Sequence, residues 1–237
     1  METSTTPHRA LRGLARGLVR RFMSQRTWYV TKCGLLRTRA RLLHNTRRGV
    51  QPASGKLHFG CGGRRVPGWL NVDVAGSEYD IDLACGRLPW RDGVFEVVVG
   101  QQVVEHLELT EELAPLLKEL RRTARPGAEI WLSCPDMEVV CRSYFEHKGA
   151  DLLEDRRSRF PEFSLGGVPA QHMINVHFHQ DGEHKNLFDF EILQWALEQA
   201  GFGDCRRVSE ADFLERFPEF PPRNDDYSTL YVRAVAT

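Results

Sequence analysis

"KLHFGCGGRRVPGWLNVDV", residues 56–74, is the stretch that decides the fold. A short apolar run, Leu57 to Phe59, passes into Gly60, Gly62 and Gly63, and the chain returns through Trp69 and Leu70 to Asp73. Glycines directly after a strand let the backbone turn sharply and approach a ligand that a Cβ would exclude. An acid closing the next strand can accept both hydroxyls of a ribose. Together the two features describe a nucleoside site. A dinucleotide site would want G-x-G-x-x-G opening a helix, with its acid about 20 residues on; here Pro67 interrupts and the third glycine is missing. A P-loop would need Gly-Lys-Ser/Thr after its glycines, which is absent. What remains is adenosine without a pyrophosphate to cradle. Asp73 also suits a turn, as does Asp82 before its Leu-Pro loop.

Outward from this stretch, short apolar runs alternate with helical segments. "KLHFG", "WLNVDV", "VFEVVVG" and "AEIWLSC" read as strands, the last two nearly continuous in apolar residues as in a sheet buried on both faces. Between them "LTEELAPLLKELRRTARPG" carries Leu113, Leu116, Leu117 and Leu120 at helical spacing, with Thr110 as the expected cap. "DFEILQWALEQAGF" repeats the form, with Phe190, Leu193, Leu197 and Ala200 on one face and Gly201 as its stop. "DCRRVSE" and "STLYVRAVA" read as two more strands. The expected fold is a doubly wound, Rossmann-like, mostly parallel α/β sheet with an antiparallel C-terminal strand and a basic helical extension at the N-terminus; such sheets bind ligands at the carboxyl ends of their strands. The expected organisation is an extension over residues 1–54, a nucleoside-binding domain over 55–237, and an acceptor-side insertion or lid over 136–186.

With those segments in place, the chain resembles the class I S-adenosylmethionine-dependent methyltransferases, in particular a bacterial type-11-like subgroup. "LHFGCG" looks like the first glycine-rich motif and "GWLNVDV" like the ribose-binding second strand. "DLACGRLPWRDGVFEVVVGQQVVEHL" resembles the third and fourth motifs, "LLKELRRTARPGAEIWLSCPD" the following helix and strand, and "GEHKNLFDFEILQWALEQAGF" a later family segment. The resemblance covers residues 56 to about 208. It implies S-adenosyl-L-methionine as cofactor, with Gly60, Cys61 and Gly62 at its methionine part, Asp73 on the ribose, Asp82 and Leu83 flanking the adenine, and Gln101 near the transferred methyl. His58 joins this set as a departure, standing where the family usually has an acid or Asn.

The implied chemistry is an in-line displacement at a methyl already activated by the sulfonium, for which holding the acceptor aligned is worth about 7 to 11 kcal/mol in favourable systems. A base is needed only for a hydroxyl or protonated amine, and histidine titrates near neutrality. His106, His179 and His184 are the candidate catalytic residues; "QHMINVHFHQDGEHK" also supplies His172 and His177. His177 and His179, two apart, would share a strand face and could chelate zinc with His172 or His184. Some relatives bind a divalent ion through two acids and a histidine after the fourth strand. Here the run is "QQVVEH", with Gln102 in place of the first acid, and Glu105 with His106 alone make a poor hard-cation site. The expectation is metal independence. Cys134 reads as packing, and no Asn-Pro-Pro-Tyr follows the fourth strand, which disfavours methylation of nucleic-acid base amines.

Composition bounds the rest. The chain has 237 residues, 41% of them hydrophobic, with 32 basic and 32 acidic residues. Such a length buries roughly 70% of its unfolded surface without staples. The six cysteines form no CxxC pair, fitting reduced thiols in a cytoplasmic compartment, and no apolar run approaches the roughly 20 residues of a membrane span. The neutral total hides an asymmetry: residues 1–50 hold twelve basic residues against Glu2 alone. "HRALRGLARGLVRRF" sets Arg9, Arg12, Arg16 and Arg20 opposite Leu11, Leu14, Leu18 and Phe22 on a helix. Residues 9–22 can therefore dock on the chain's own domain or lie on an anionic membrane, where each arginine adds about 1 kcal/mol. Nucleic acid ranks below these. The expected activity is methylation of a small-molecule, glycan or lipid-linked acceptor on O or N. The alternatives are an RNA methyltransferase with a basic arm and a non-catalytic adaptor. The acceptor atom and the oligomeric state are not legible.

Overall fold

A computed structural model of the chain describes residues 24–46 and 52–237; the amphipathic segment 9–22 lies outside the described residues. The sheet has seven strands: β1 (Lys56–Phe59), β2 (Leu70–Asp73), β3 (Tyr79–Asp80), β4 (Phe95–Gln101), β5 (Ala124–Pro135), β6 (Phe202–Val208) and β7 (Thr229–Ala236). Their spatial order is β3-β2-β1-β4-β5-β7-β6. All neighbours run parallel except β7, which is antiparallel to both β5 and β6. The expected doubly wound, Rossmann-like sheet with its reversed C-terminal strand is therefore present. After β1 the chain winds to one side through β2 and β3, and with β4 and β5 it winds to the other. The switch point lies between β1 and β4, where open α/β sheets place their ligands.

One face of the sheet packs against α2 (Ala114–Thr123) and α6 (Phe190–Ala200) through Leu116, Leu117, Leu120, Leu193 and Leu197, all fully buried. The cap of the first helical segment is Glu108, not Thr110: its carboxylate accepts from the Thr110 and Glu111 amides, and a single π turn, Leu109–Leu113, leads into α2. Asp189 caps α6 and Gly201, at φ +94°, ends it. The other face carries an aromatic layer in which Trp69, Trp131, Phe213, Phe217, Phe220 and Tyr231 pack, mostly edge to face, under α7 (Glu210–Arg216).

The insertion folds as three helices, α3 (Met137–His147), α4 (Ala150–Arg159) and α5 (His172–His179), around a small core of Val140, Leu152 and Met173. The stretch holding His177 and His179 is helical rather than a strand. The two side chains therefore do not share a face: His177 is buried and His179 exposed. At the N-terminal side α1 (Gln25–Thr46) lies near the β3 edge of the sheet with Ala40 fully buried, while Trp28, Val30, Leu35 and Leu42 stay exposed. Among the described residues no helix is long and apolar enough to cross a membrane, and all six cysteines are free thiols.

Candidate active site

The carboxyl ends of β1 and β4 form the first half of the site. Gly60 leaves β1 at φ +65°, and a Cβ there would stand 2.3 Å from Val103 Cγ2, so both backbone and space require glycine. Gly62, at φ +52°, faces open space. Its amide donates to Asp73 Oδ2 at 2.8 Å, and the Val74 amide donates to Oδ1 at 2.7 Å. The end of β2 thus anchors the glycine elbow. A carboxylate has about four lone-pair directions, so Asp73 keeps capacity for two further donors such as vicinal hydroxyls. Cys61 is buried beside it, its amide bonded to the Val72 carbonyl, and burial pushes its thiol up to about 11. Gln101 ends β4, buried, and Gln102 follows at φ +54°, its amide bonded to Ser133 O. Backbone held in this rare region by surrounding structure is common at binding sites.

His58 sits elsewhere. Side chains alternate along a strand, so Leu57 and Phe59 enter one core while the His58 imidazole lies on the other face, 5.0 Å from the Phe220 ring. Its Nδ1–H donates to Asn71 Oδ1 at 3.1 Å, and Asn71 in turn binds the backbone of Val66 and Trp69. The ring therefore ties down the loop after the glycines, and burial depresses its pKa to about 4.

Of the pair expected at the adenine, Leu83 is buried and Asp82 caps the turn Leu83–Cys85 by accepting from the Ala84 amide. Its carboxylate is also held by α1: Arg41 Nε donates to it at 2.6 Å, and Arg37 Nε lies 3.5 Å away. Arg37 further reaches Glu112 at 3.5 Å, and Glu112 accepts from Lys185 Nζ at 2.5 Å. One carboxylate thus links α1 to the insertion. No feature of residues 25–46 alone points to this; the signal is only the excess of arginines opposite an acidic domain.

The second half of the site is a cavity of about 240 Å³ beyond the carboxyl end of β4, roofed by α4 and α5. Glu105, His106, His177, His184, Arg156, Arg159 and Arg223 line it. The turn Val104–His106 is strapped to residues 183–186: the Lys185 and Asn186 amides donate to Glu105 O, and His106 Nδ1–H donates to Glu183 O at 3.1 Å. His184 Nδ1–H donates to His177 O at 2.5 Å. Because a carbonyl can only accept, each of these rings in its neutral form has Nε2 free as a proton acceptor. Burial keeps His184 below the usual histidine range and takes His177 down to about 4. The Glu105 carboxyl is buried without a hydrogen-bond partner on either oxygen, and burial lifts it to about 8. Together Glu105, His106 and His184 offer ligand atoms within 4.8 Å of one another, the spacing of a group that can take a metal ion.

His106 and His184 thus meet in the cavity although 78 positions separate them, whereas the exposed His179 does not line it. His177 lines it instead, because helical rather than strand periodicity governs α5. The three arginines come from α4 and from the loop before β7, and no local motif marks them. A larger cavity of about 590 Å³ lies at the opposite end of the sheet beside residues 86–91, where Glu119 and Arg122 pair with each other.

No protein-family model matches the chain, and no curated protein does. Solved structures do resemble it. A phosphoethanolamine N-methyltransferase 2 from Haemonchus contortus, solved with phosphomonomethylethanolamine and S-adenosylhomocysteine, is 11% identical over 79% of this chain, with a TM-score of 0.44. This chain spans half of that enzyme's length. An S-adenosylmethionine-dependent methyltransferase from Mesorhizobium loti is 15% identical over 82% of this chain and 96% of its own, with a TM-score of 0.43. Another from Aquifex aeolicus is 15% identical over 79% and 85%, with a TM-score of 0.40. At these identities and scores the likeness says nothing about the acceptor.

Proposed function

We propose that the protein is an S-adenosyl-L-methionine-dependent methyltransferase acting on a small-molecule acceptor. The observation that carries this reading is the glycine elbow Gly60–Gly62 bonded to Asp73 at the switch point of the sheet, together with a separate polar cavity beyond the carboxyl end of β4. Gly60, Cys61 and Gly62 hold the methionine part of the cofactor, Asp73 the ribose, and Asp82 with Leu83 the adenine edge, with Gln101 beside the sulfonium. The acceptor occupies the cavity of Glu105, His106 and His184. Its volume equals that of about eight waters in the liquid, so the buried part of the acceptor is on the order of ten non-hydrogen atoms. That suits one sugar ring or a small amine better than a polymer. His184, neutral and with Nε2 free, takes the proton from an acceptor hydroxyl or ammonium; His106 is the second candidate. Contact of the N-terminal extension with an anionic membrane surface is part of this reading, supported by its basic residues and by the exposed Trp28, Val30, Leu35 and Leu42 of α1.

Isothermal titration with S-adenosylmethionine and S-adenosylhomocysteine tests the cofactor assignment. Binding in the micromolar range that Asp73→Ala abolishes supports it, and no heat with either ligand points to an adaptor that keeps the fold without the chemistry. Co-sedimentation with anionic liposomes and with RNA tests the extension.

A second reading rests on the Glu105–His106–His184 cluster. Both histidines donate Nδ1–H to carbonyls, the outer-shell arrangement of metal-bound imidazoles, and the donor set suits zinc-like ions rather than calcium. In that version Glu105, His106 and His184 would hold the ion, which would supply Lewis-acid activation of the acceptor in place of a free imidazole base. Titration with Zn²⁺ and Mn²⁺ separates the two: uptake of one ion per chain that His184→Ala removes favours the metal, and transfer indifferent to chelators favours the free base.

A further inference from the structure

We propose that the acceptor cavity contains an anion-recognition subsite centred on Arg156, which takes the phosphate or carboxylate group of a small, soluble, negatively charged acceptor. The subsite deepens the methyl-transfer reading and rests on that cavity being the acceptor pocket.

Three arginines line the cavity, and two of them are matched. Arg159 is paired with Asp155 at 2.5 Å, and Arg223 Nε donates to Asp225 at 2.8 Å. Asp225 is itself fixed by the Tyr231 hydroxyl at 2.6 Å, and the amides of residues 223–225 converge on Glu210, so this wall is rigid. Arg156 differs. It lies one helical turn before Arg159 on α4, its guanidinium packs against the Phe160 and Phe163 rings at 5.8 and 5.7 Å, and among the described residues it has no ion-pair or hydrogen-bond partner. Its Nε is buried, as is the unpartnered Nε of Arg159. A desolvated guanidinium with free donors is costly to keep unless something accepts from it. Its planar fork matches the paired oxygens of phosphate and carboxylate.

The surrounding charges agree. The groups facing Arg156 across the cavity are Arg159, Arg223, the neutral His177 and His184, and the Glu105 carboxyl, with Asp225 already bonded to Arg223 and Tyr231. Asp155 and Asp225 both attract Arg156, but each is already bonded, Asp155 to Arg159 and Asp225 to Arg223 and Tyr231; among the described residues no carboxylate pairs with Arg156 itself. The Thr229 hydroxyl, also in the lining, accepts from Gln102 Nε2 and keeps its own proton to donate to an anion, whereas the Ser228 hydroxyl already donates to Asp155 Oδ2 at 3.3 Å. With the anionic end against α4, the opposite end of a small acceptor points to Glu105, His106 and His184.

The experiment is a thermal-shift and calorimetric titration of the full-length protein with inorganic phosphate, acetate, glycerol 3-phosphate and, as the neutral match, glycerol. Saturable stabilisation by glycerol 3-phosphate and not by glycerol is expected, and it should weaken at least tenfold in Arg156→Gln. The relative strengths of phosphate and acetate distinguish a phosphoryl from a carboxyl group. Arg157→Gln alters an exposed arginine of the same helix outside the cavity, and it should bind as the parent does. Arg156→Lys covers the case in which the glutamine variant fails to fold: it keeps the charge without the fork and should bind more weakly than the parent. Equal anion binding by parent, Arg156→Gln and Arg156→Lys, or no preference for glycerol 3-phosphate over glycerol, overturns the subsite. Cofactor binding measured on the same samples keeps the two readings apart. Cofactor without anion defeats only the subsite, whereas anion without cofactor defeats the methyltransferase and with it the acceptor role of the subsite, leaving the anion site itself.

Discussion

Replacing Glu105 by glutamine tests the electrostatics at the centre of the cavity. The Glu105 side chain is 1% exposed, neither oxygen has a partner, and its pKa rises from 4.5 to about 8. An acid whose pKa is raised on folding destabilises the native state as pH climbs past the unfolded value. The unfolded chain releases its proton near 4.5, while the folded chain holds it until about 8. At 1.36 kcal/mol per unit, the penalty is about 3 kcal/mol at pH 7 and approaches about 5 kcal/mol well above pH 8. Glutamine keeps the shape and removes the ionisation. The variant should match the parent to within about 1 kcal/mol near pH 4.5 and exceed it by about 3 kcal/mol at pH 7. His58 and His177 titrate in both proteins and cancel in the difference. Urea denaturation followed by circular dichroism at pH 4.5, 7 and 9 reads it directly. A difference that stays flat with pH would refute the argument, because Glu105 would then be ionised and compensated in the native state.

Other outcomes follow from the same geometry. Gly60→Ala meets both a positive φ and the Val103 side chain, so it should cost about 2–4 kcal/mol and abolish cofactor binding. Gly62→Ala, strained but unobstructed, should cost only about 1 kcal/mol; equal losses by thermal unfolding would contradict this assignment. His58, held neutral down to about pH 4, stabilises the fold fully above its unfolded value of 6.5 and loses that contribution, about 3 kcal/mol, as pH falls toward 4. His58→Gln should flatten that acid limb, and a ¹⁵N-edited histidine titration showing an ordinary midpoint would count against it. Arg41→Ala leaves the buried Asp82 with fewer donors and should cost about 1–3 kcal/mol in denaturant; an unchanged midpoint would mean that α1 adds nothing there.

The sheet was largely legible because its signal is local. β4 and the core of β5 read as apolar runs, and Gly201 stops its helix where the sequence places it. The two-residue β3 has too few side chains to show a period. His58 was open to a parity argument, since a strand that buries Leu57 and Phe59 on one face must turn residue 58 to the other. His179 lost its place to His177 when the segment proved helical, a distinction that eight residues including Ile174, Val176 and Phe178 do not make. The cavity was the least legible part. Arg156, Arg223 and the strap of residues 183–186 converge only through tertiary packing, and their neighbours in sequence carry no trace of the meeting.

Glu112 deserves a last consequence, because its two oxygens answer to different masters: Arg37 of α1 on one and Lys185 of the strap on the other. Both pairs are partly solvated and weak, worth under about 1 kcal/mol each, yet they place the N-terminal helix and the cavity roof in one thermodynamic cycle. Whatever peels α1 from the domain frees a carboxylate to hold Lys185 alone. By reciprocity, a ligand that draws the strap inward alters the grip on α1 by the same factor, a few-fold at most. Occupancy of the cavity is thereby reported, faintly, on the outer surface of the molecule.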